Sequence, residues 1–276
     1  MNEKYLPQVL DIAHQAGTAI MEVYRSGEIG ETSKMDKSPL TLADLAAHRT
    51  IVDSLTKLTP EIPILSEEAA DIPYSKRSQW TRFWLVDPLD GTKEFIKRNG
   101  EFTVNIALIE NGEPVLGVVY APVLDVCYYG ARGTGAFVQR GNTAAQTITA
   151  KPHTKGEPIK VVASRSHSDE RTAAFLKQLG EYQCISMGSS LKLCLVAENA
   201  AHFYPRLGPT MEWDTAAAHA VVNAAGGIVC DLKGSELHYN KADLHNPEFL
   251  VMSAQDKVQR LSQCGKQEFS RKEAKA

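Results

Sequence analysis

The chain has 276 residues, of which 43% are hydrophobic and 23% charged, and its formal net charge at pH 7 is −3. This length suits one large globular unit or two closely packed halves, and the weak negative charge gives no electrostatic case for binding a nucleic acid polymer. Five scattered cysteines without a CxxC pair give no support to a disulfide framework or a zinc site, and no signal peptide or membrane-spanning apolar run is present, so we expect a soluble, cytoplasmic protein.

The N-terminal region predicts two amphipathic helices. Apolar residues at helical spacing predict a helix over about residues 4–26, ended by Gly27. Residues 27–38 are polar and predict a mobile loop. Thr41 then opens a second helix with Asp44 in its first turn. Asp44 fits a variant of the capping box, or it is a carboxylate directed at a metal site.

Two short apolar runs end in acidic residues. Phe83–Val86 predicts a buried strand that leads into Asp87 and Asp90, and Pro88 and Gly91 are expected to stop the strand. Two carboxylates so close together suit a hard cation such as Mg²⁺, and an ordinary turn is an equal alternative at this stage. The earlier run, over residues 62–65, ends in the same way at Glu67-Glu68.

The remaining segments divide the chain into two halves. Strands predicted at 102–109, 115–121, 125–130 and 135–139, with Asn111-Gly112 as a hairpin turn, give the first half an antiparallel sheet. From about residue 158, strand and helix alternate, which predicts a wound α/β half. We expect its strands at 159–163, 182–187, 202–204, 228–231 and 249–253, and its helices at 168–179, 189–199 and 213–224. The predicted boundaries are 1–157 and 158–276, with the site at their junction and a frayed end from about 265.

A further acidic residue, Asp214, stands just before the Ala-rich helix of the second half. It is expected to act as the N-cap of that helix, and a carboxylate in this place could also bind a metal ion. The two roles do not exclude each other.

These segments together resemble the inositol monophosphatase superfamily, whose members are Mg²⁺-dependent, lithium-sensitive phosphatases. The resemblance covers nearly the whole chain and rests on four motifs in the family's order. These motifs are Ser-Pro-Leu-Thr-Leu-Ala-Asp44, Leu-Ser-Glu67-Glu, Asp87-Pro-Leu-Asp90-Gly-Thr92 and Trp213-Asp-Thr-Ala-Ala. It implies a layered αβαβα sandwich, a mixture of α+β and α/β.

Within the superfamily the chain is more similar to the bacterial 3′(2′),5′-bisphosphate nucleotidases. The segments that carry this closer match are Ala163–His167, Gly188–Lys192 and Pro205–Asp214. Ala218 departs from the expected pattern, because glycine is expected there. Alanine favours the helix, and it is expected to narrow slightly the space that faces it.

The resemblance implies a role for each site residue. Glu67, Asp87, Asp90, Asp214 and the Leu89 carbonyl would hold two or three Mg²⁺ ions. Thr92 and Asp44 would orient the attacking water. The substrate-binding residues that the resemblance implies are Glu67, Leu89, Asp90, Gly91, Thr92, Ser164, His167, Gly188, Ser190, Lys192, Arg206 and Asp214. Arg206 could pair with phosphate or could brace its loop.

The implied reaction is removal of the 3′-phosphate of adenosine 3′,5′-bisphosphate, with its sulfated analogue as a further substrate. An inositol or sugar phosphate is the alternative substrate, and a non-catalytic nucleotide-binding protein on the same scaffold is the alternative of another class. Oligomeric state and peripheral association with the inner face of the cell membrane are left open by the sequence.

Overall fold

The computed structural model describes residues 2–28, 30–33, 39–163, 170–177 and 179–257. The α-helices of this part are α1 (Leu6–Ser26), α2 (Leu42–Leu58), α3 (Tyr74–Arg77), α4 (Thr92–Ile96), α5 (Glu170–Lys177), α6 (Leu191–Ala197) and α7 (Glu212–Ala224). The first strands are β1 (Thr32–Ser33), β2 (Pro39–Leu40), β3 (Ile64–Ser66), β4 (Arg82–Asp90), β5 (Thr103–Glu110), β6 (Glu113–Ala121) and β7 (Val126–Ala131). The others are β8 (Gly135–Arg140), β9 (Gln146–Ile148), β10 (Ile159–Ala163), β11 (Tyr182–Ser186), β12 (Phe203–Arg206), β13 (Gly227–Asp231) and β14 (Phe249–Ser253).

The strands form two large sheets in the described part of the chain. The first has seven strands in the sequential order β3-β4-β5-β6-β7-β8-β9, antiparallel except for the β3–β4 pair. The second has five strands in the order β11-β10-β12-β14-β13. In it β10 runs parallel to β11 and β12, whereas β14 is antiparallel to both of its neighbours. The first sheet is therefore mainly antiparallel, and the second combines parallel and antiparallel pairs.

Three apolar cores stack these elements into five layers. Helices α1 and α2 cover one face of the seven-stranded sheet. Helices α6 and α7 fill the space between that sheet and the five-stranded sheet, and α5 packs on the outer face of the latter. Consecutive residues of β14 show the arrangement, since Val251 faces the middle core and Met252 the outer one. The αβαβα sandwich expected from the resemblance is confirmed.

Local signals explain where the first two helices begin and end. Gly27 ends α1 in the left-handed conformation, with φ +77°, as predicted for a C-terminal glycine. Thr41 caps α2, because its hydroxyl accepts a hydrogen bond from the Ala43 N–H and its own N–H donates to Asp44. The capping box therefore forms as predicted.

Helix α7 lies very close to the first sheet because both surfaces are small. A Cβ atom built on Gly117 of β6 would stand 2.0 Å from the Ala217 carbonyl oxygen and 2.8 Å from the Ala220 Cβ. Ala218 of α7 is fully buried in the same core and is not among the residues that line the cleft described below, so the space that faces it is the interior of this core. The close packing fixes the end of α7 that carries Asp214.

Several boundaries differ from those predicted. The segment 27–38 contains β1, which pairs with β2, so its described part is not simply a loop. Helix α6 is shorter than the predicted 189–199. Helices α3 and α4 and strand β9 were not predicted, because each has only three to five residues and too few for a periodic pattern.

The predicted boundary at residue 157 falls between β9 and β10, each of which belongs to a different sheet. The middle core contains residues from both sides of this boundary. The division into two halves thus stays a prediction. No helix among the described residues is long and apolar enough to cross a bilayer, and the frayed end predicted from about residue 265 lies outside the described residues.

Candidate active site

A β-bulge places the two central aspartates on one face of the sheet. Strand β4 does not stop at Pro88 as predicted; it continues to Asp90, with Asp87 opposite Asn105 and Asp90 opposite Thr103. One extra residue of β4 therefore lies between these pairs. Residues 87 and 90 of a regular strand would point to opposite faces, and the bulge turns both toward one face. Proline has no N–H to donate to a regular ladder. Pro88 is tolerated here because the bulge interrupts the ladder at this position.

Asp87 lies among the other predicted acidic ligands. It is 1% exposed, and one of its carboxylate oxygens accepts a hydrogen bond from the Leu89 N–H at 3.0 Å. Burial raises the pKa of Asp87 well above its ordinary value, and the negative charges of Glu67, Asp90 and Asp214 raise it further. A hydrogen bond between the Glu67 and Asp87 side chains adds to this shift. Of the adjacent pair at 67 and 68, Glu67 is therefore the residue that faces Asp87.

Asp90 and Asp214 share this acidic environment. Burial raises the pKa of Asp90 to about 6, against the opposing effects of the Lys192 charge and a hydrogen bond from the Ser190 N–H. Burial and the neighbouring Asp90 raise the pKa of Asp214 to about 8. Carboxylates that destabilise one another in this way need positive charge to be ionised together.

Asp214 does not occupy the predicted N-cap position. Helix α7 begins at Glu212, and Asp214 is the third residue of its first turn, from which its side chain accepts a hydrogen bond from the Met211 N–H at 2.9 Å. The earlier start follows from a buried contact of Glu212, whose carboxylate accepts hydrogen bonds from the Asn240 and Lys241 N–H groups. That contact comes from a distant part of the chain and gives no local signal.

The carboxylate oxygens of the acidic cluster are of the ligand type that Mg²⁺ binds. Among the described residues, no group of three or more His, Cys, Asp or Glu side chains is arranged to enclose a metal ion by itself. The acidic side chains point instead to hydrogen-bond donors of the protein, such as the Leu89, Ser190 and Met211 N–H groups. Buried oxygen ligands with excess negative charge are nevertheless what a hard divalent cation requires, so the residues present fit the ion.

Asp44 and Thr92 meet beside this cluster. Asp44 is 1% exposed, and its Oδ2 accepts hydrogen bonds from the Thr41 N–H at 2.8 Å and from the Thr41 hydroxyl at 2.6 Å. Its Oδ1 accepts a hydrogen bond from the Thr92 hydroxyl at 3.3 Å. Asp44, in the first turn of α2, and Thr92, the first residue of α4, are thus in contact, and both interpretations of Asp44 are compatible with this geometry.

A cleft of about 140 Å³ adjoins the acidic cluster. Its lining includes Asp90, Gly91 and Asp214 as well as Lys192 and Arg206. Gly91 has φ +93°, a conformation that favours glycine. The cleft therefore joins negatively charged groups, which could hold cations, to positively charged groups, which could receive a phosphate.

Lys192 and Arg206, two of the three basic residues that line the cleft with Lys93, differ in their surroundings. Lys192 is only 8% exposed, its ammonium group lies 5.9 Å from the centre of the Tyr204 ring, and burial lowers its pKa to about 8, although Asp90 opposes the shift. Arg206 donates a hydrogen bond to the Pro209 carbonyl at 3.0 Å and so braces its loop. Bracing does not use the whole guanidinium group, because the buried Arg206 Nε has no hydrogen-bond partner within the part of the chain that is described.

The segment before α6 brings three residues to the cleft, the predicted Gly188 and Ser190 and the additional Ser189. The Gly188 N–H donates to the Glu101 carboxylate at 2.7 Å, and a Cβ atom at Gly188 would stand 2.7 Å from the Glu101 carbonyl oxygen. Ser190 uses its hydroxyl on Asn105 and its N–H on Asp90. The sequence did not single out Ser189, which lines the cleft with φ +43° and a buried hydroxyl for which the described residues provide no partner.

Ser164 and His167 lie outside the described residues, so their predicted contacts with the nucleotide stay predictions.

The sequence carries little signal for Ser189, because it is one of two adjacent serines. Only its backbone conformation in the folded chain distinguishes it.

Comparisons with known proteins agree with this fold. Residues 1–264 match the model of the inositol monophosphatase family. The 3′(2′),5′-bisphosphate nucleotidase CysQ of Salmonella typhimurium is 55% identical over 250 residues, which are 89% of this chain and 98% of that protein. CysQ of Escherichia coli K12 is 54% identical with the same coverage. The crystal structure of CysQ from Bacteroides thetaiotaomicron superposes with a TM-score of 0.78 at 43% identity, over 88% of this chain and 95% of that one.

The chain therefore belongs to the inositol monophosphatase family. Enzymes of this family generally depend on Mg²⁺. The relatives from Salmonella typhimurium and Escherichia coli K12 are both named for one activity, that of a 3′(2′),5′-bisphosphate nucleotidase.

Proposed function

We propose that this protein is a Mg²⁺-dependent phosphatase that removes the 3′-phosphate of adenosine 3′,5′-bisphosphate, giving AMP and phosphate, in the cytoplasmic reactions of sulfur assimilation. The observation that carries the proposal is the cleft that is lined both by Asp90 and Asp214 of the acidic cluster and by the basic residues Lys192 and Arg206. A nucleotide with two phosphates needs positive charge at two places. The names of the relatives support the same substrate, and the sulfated analogue is a second substrate to test.

The acidic residues would hold two or three Mg²⁺ ions. Glu67, Asp87, Asp90 and Asp214 supply anionic oxygens, and the Leu89 carbonyl adds a neutral one. When bound, the metal ions neutralise the phosphate oxygens and lower the pKa of a water molecule. Asp87 itself is shielded from bulk water, which strengthens the electrostatic interactions that its carboxylate makes.

Thr92 and Asp44 orient the attacking water. Because the Thr92 hydroxyl donates its proton to Asp44, its lone pairs remain available to accept a hydrogen bond from that water. Asp44 cannot rotate freely, since its other oxygen is held by Thr41. The pair therefore fixes the direction from which water approaches the phosphorus atom.

The second phosphate and the nucleoside bind toward the second half. Lys192 and Arg206 supply charge, and the Ser189 hydroxyl supplies a further donor. Gly91 and Gly188 have no side chain that would block the approach of the phosphate. Ser190 acts here through its contact with Asp90, because its N–H and its hydroxyl both donate hydrogen bonds within the protein.

The deciding experiment identifies the product. Purified protein with adenosine 3′,5′-bisphosphate and Mg²⁺ is expected to give AMP and inorganic phosphate in ³¹P NMR spectra, and no turnover is expected with EDTA. The same rates are then measured with inositol 1-phosphate. A higher kcat/KM for the inositol ester would reject the nucleotide assignment, and no hydrolysis of either substrate would reject the phosphatase itself.

Thr92→Val is expected to lower kcat by about 10²-fold with little change in KM, because it removes the group that orients water while keeping the side-chain shape. Thr92→Ser, which keeps the hydroxyl, is the matched control and should retain most of the activity. Steady-state kinetics with adenosine 3′,5′-bisphosphate measure both. Equal activity of the valine and serine variants would exclude this role for Thr92.

The metal-free protein is expected to become less stable as pH rises from about 4 to about 8. Folding raises the pKa values of Asp87, Asp90 and Asp214, so the folded state binds more protons than the unfolded state in this range, and the free energy of unfolding falls with pH. Mg²⁺ replaces these protons, and its stabilising effect should therefore grow with pH. Thermal unfolding in EDTA and in Mg²⁺ at several pH values measures this. A Mg²⁺-induced increase in Tm that does not depend on pH would contradict it.

A further inference from the structure

Strand β5 carries a buried polar pair opposite the two central aspartates. Every residue from Thr103 to Ile109 is buried, and only Thr103 and Asn105 of these have polar side chains. They lie two residues apart and thus on one face. Asp90 is the direct cross-strand partner of Thr103, and Asp87 is that of Asn105.

Ser190 connects this pair to Asp90. Its hydroxyl donates to the Asn105 Oδ1 at 2.8 Å, and a further contact of 2.9 Å joins it to the Thr103 hydroxyl. Since the single proton of Ser190 is used on Asn105, Thr103 is the donor in the second bond. The Ser190 N–H then donates to the Asp90 Oδ2 at 2.5 Å.

The other arm of the Asn105 amide is unused. Its Nδ2 is buried and has no hydrogen-bond partner among the described residues. Asn105 is 1% exposed and sits directly opposite the Asp87 carboxylate, and directly opposed residues of an antiparallel pair have Cβ atoms about 4.5–5.5 Å apart. A buried donor without a partner is costly, and here it stands beside a buried group that requires donors when it is ionised.

We propose that Asn105, together with Thr103 and Ser190, positions the Asp87 and Asp90 carboxylates for metal binding, an inference that rests on the proposed function. Asn105 Oδ1 fixes Ser190 and through it the orientation of Asp90. Asn105 Nδ2 supplies a donor to Asp87 or to a water molecule bound beside it. These residues are positioning residues, because they act through the carboxylates.

A purely structural role does not explain the pattern. The remaining positions of this face of β5, Ala107 and Ile109, are apolar and belong to the middle core. Polar side chains replace apolar ones only at the end of the strand that faces the acidic cluster. Of the three polar side-chain atoms of Thr103 and Asn105, the Asn105 Nδ2 has no hydrogen-bond partner among the described residues. Ligands of a metal ion are commonly oriented by such a surrounding set of hydrogen bonds.

The test measures Mg²⁺ binding without substrate. Isothermal titration with Mg²⁺, and the rise of Tm with Mg²⁺, are compared for the wild type, Asn105→Leu, Ser190→Ala, Thr103→Val and Thr103→Ser. Thr59→Val is the matched control, because Thr59 is 1% exposed and accepts a hydrogen bond from Trp84 at 2.8 Å. It follows the last residue of α2, whereas Asp44 lies in the first turn of that helix.

Asn105→Leu is expected to weaken Mg²⁺ binding by about 10- to 100-fold, Ser190→Ala and Thr103→Val by less, and Thr103→Ser hardly at all. Thr59→Val should lower Tm in EDTA and leave the Mg²⁺ affinity unchanged. Wild-type Mg²⁺ affinity in Asn105→Leu and Ser190→Ala would overturn the proposal. If Asn105→Leu does not fold, equal affinities of Thr103→Val and Thr103→Ser would overturn it. A wild type that binds Mg²⁺ and hydrolyses the nucleotide keeps the proposed function in either case, whereas a wild type that binds none defeats both.

Discussion

Asp87→Asn is expected to lower kcat/KM for adenosine 3′,5′-bisphosphate by about 10³-fold or more. Asp87 is the acid that the other three carboxylates all surround, and loss of one anionic ligand removes several kcal/mol of charge stabilisation in the transition state, at about 1.4 kcal/mol for each factor of ten. The amide has nearly the same shape, so the fold should be retained. Release of phosphate in Mg²⁺ measures the effect.

The same substitution should raise the Tm of the metal-free protein at pH 8. Asp87 is buried among negative charges that raise its pKa, and a neutral amide removes that repulsion. Substitution of a metal ligand is expected to lower activity and to raise the stability of the metal-free protein. Substitution that damages the core is expected to lower both. Asp11→Asn, on the exposed surface of α1, is the control and should change neither quantity. Full activity of Asp87→Asn would leave the metal site without its central ligand.

Gly117→Ala is expected to destabilise the protein by about 3 kcal/mol or more, because the added methyl group would overlap the Ala217 carbonyl oxygen, 2.0 Å away. The backbone of α7 cannot move without shifting Asp214, so activity should fall in parallel. Urea unfolding measures the free energy of unfolding.

Gly133→Ala separates overpacking from the general cost of replacing a glycine. Gly133 has φ +84° and nothing within 4 Å of an added Cβ atom, so only backbone strain of about 1 kcal/mol is expected. Similar losses in the two variants would show that α7 adapts to the additional methyl group and that the contact does not constrain Asp214.

The layers and the acidic motifs could be predicted because their signals are local. The apolar run before Asp87 predicts a buried strand whose end carries acids. Asn111-Gly112 predicts the β5–β6 hairpin, and both residues indeed have positive φ values, +51° and +79°. The spacing of α1 and the capping residue of α2 likewise lie within a few positions of the helices that they define.

The parts that could not be predicted depend on partners far along the chain. The bulge in β4 is set by its pairing with β5, so no local rule places Asp87 and Asp90 on one face. Spacing alone could not choose Glu67 over Glu68, and the choice follows from the contact with Asp87. The polar layer formed by Asn105 and Ser190 joins positions 85 residues apart, and each looks ordinary in its own segment.

The position of α7 between the two sheets also determines how the protein unfolds. The side chains of Val221 and Val222 belong to the core that both sheets share. Neither sheet can therefore bury its inner face when α7 unfolds. We infer that the two halves melt as a single cooperative unit, and that the chain cannot be cut near residue 157 into pieces that fold separately. An enzyme built in this way would lose its catalytic cluster and its tertiary structure in one transition.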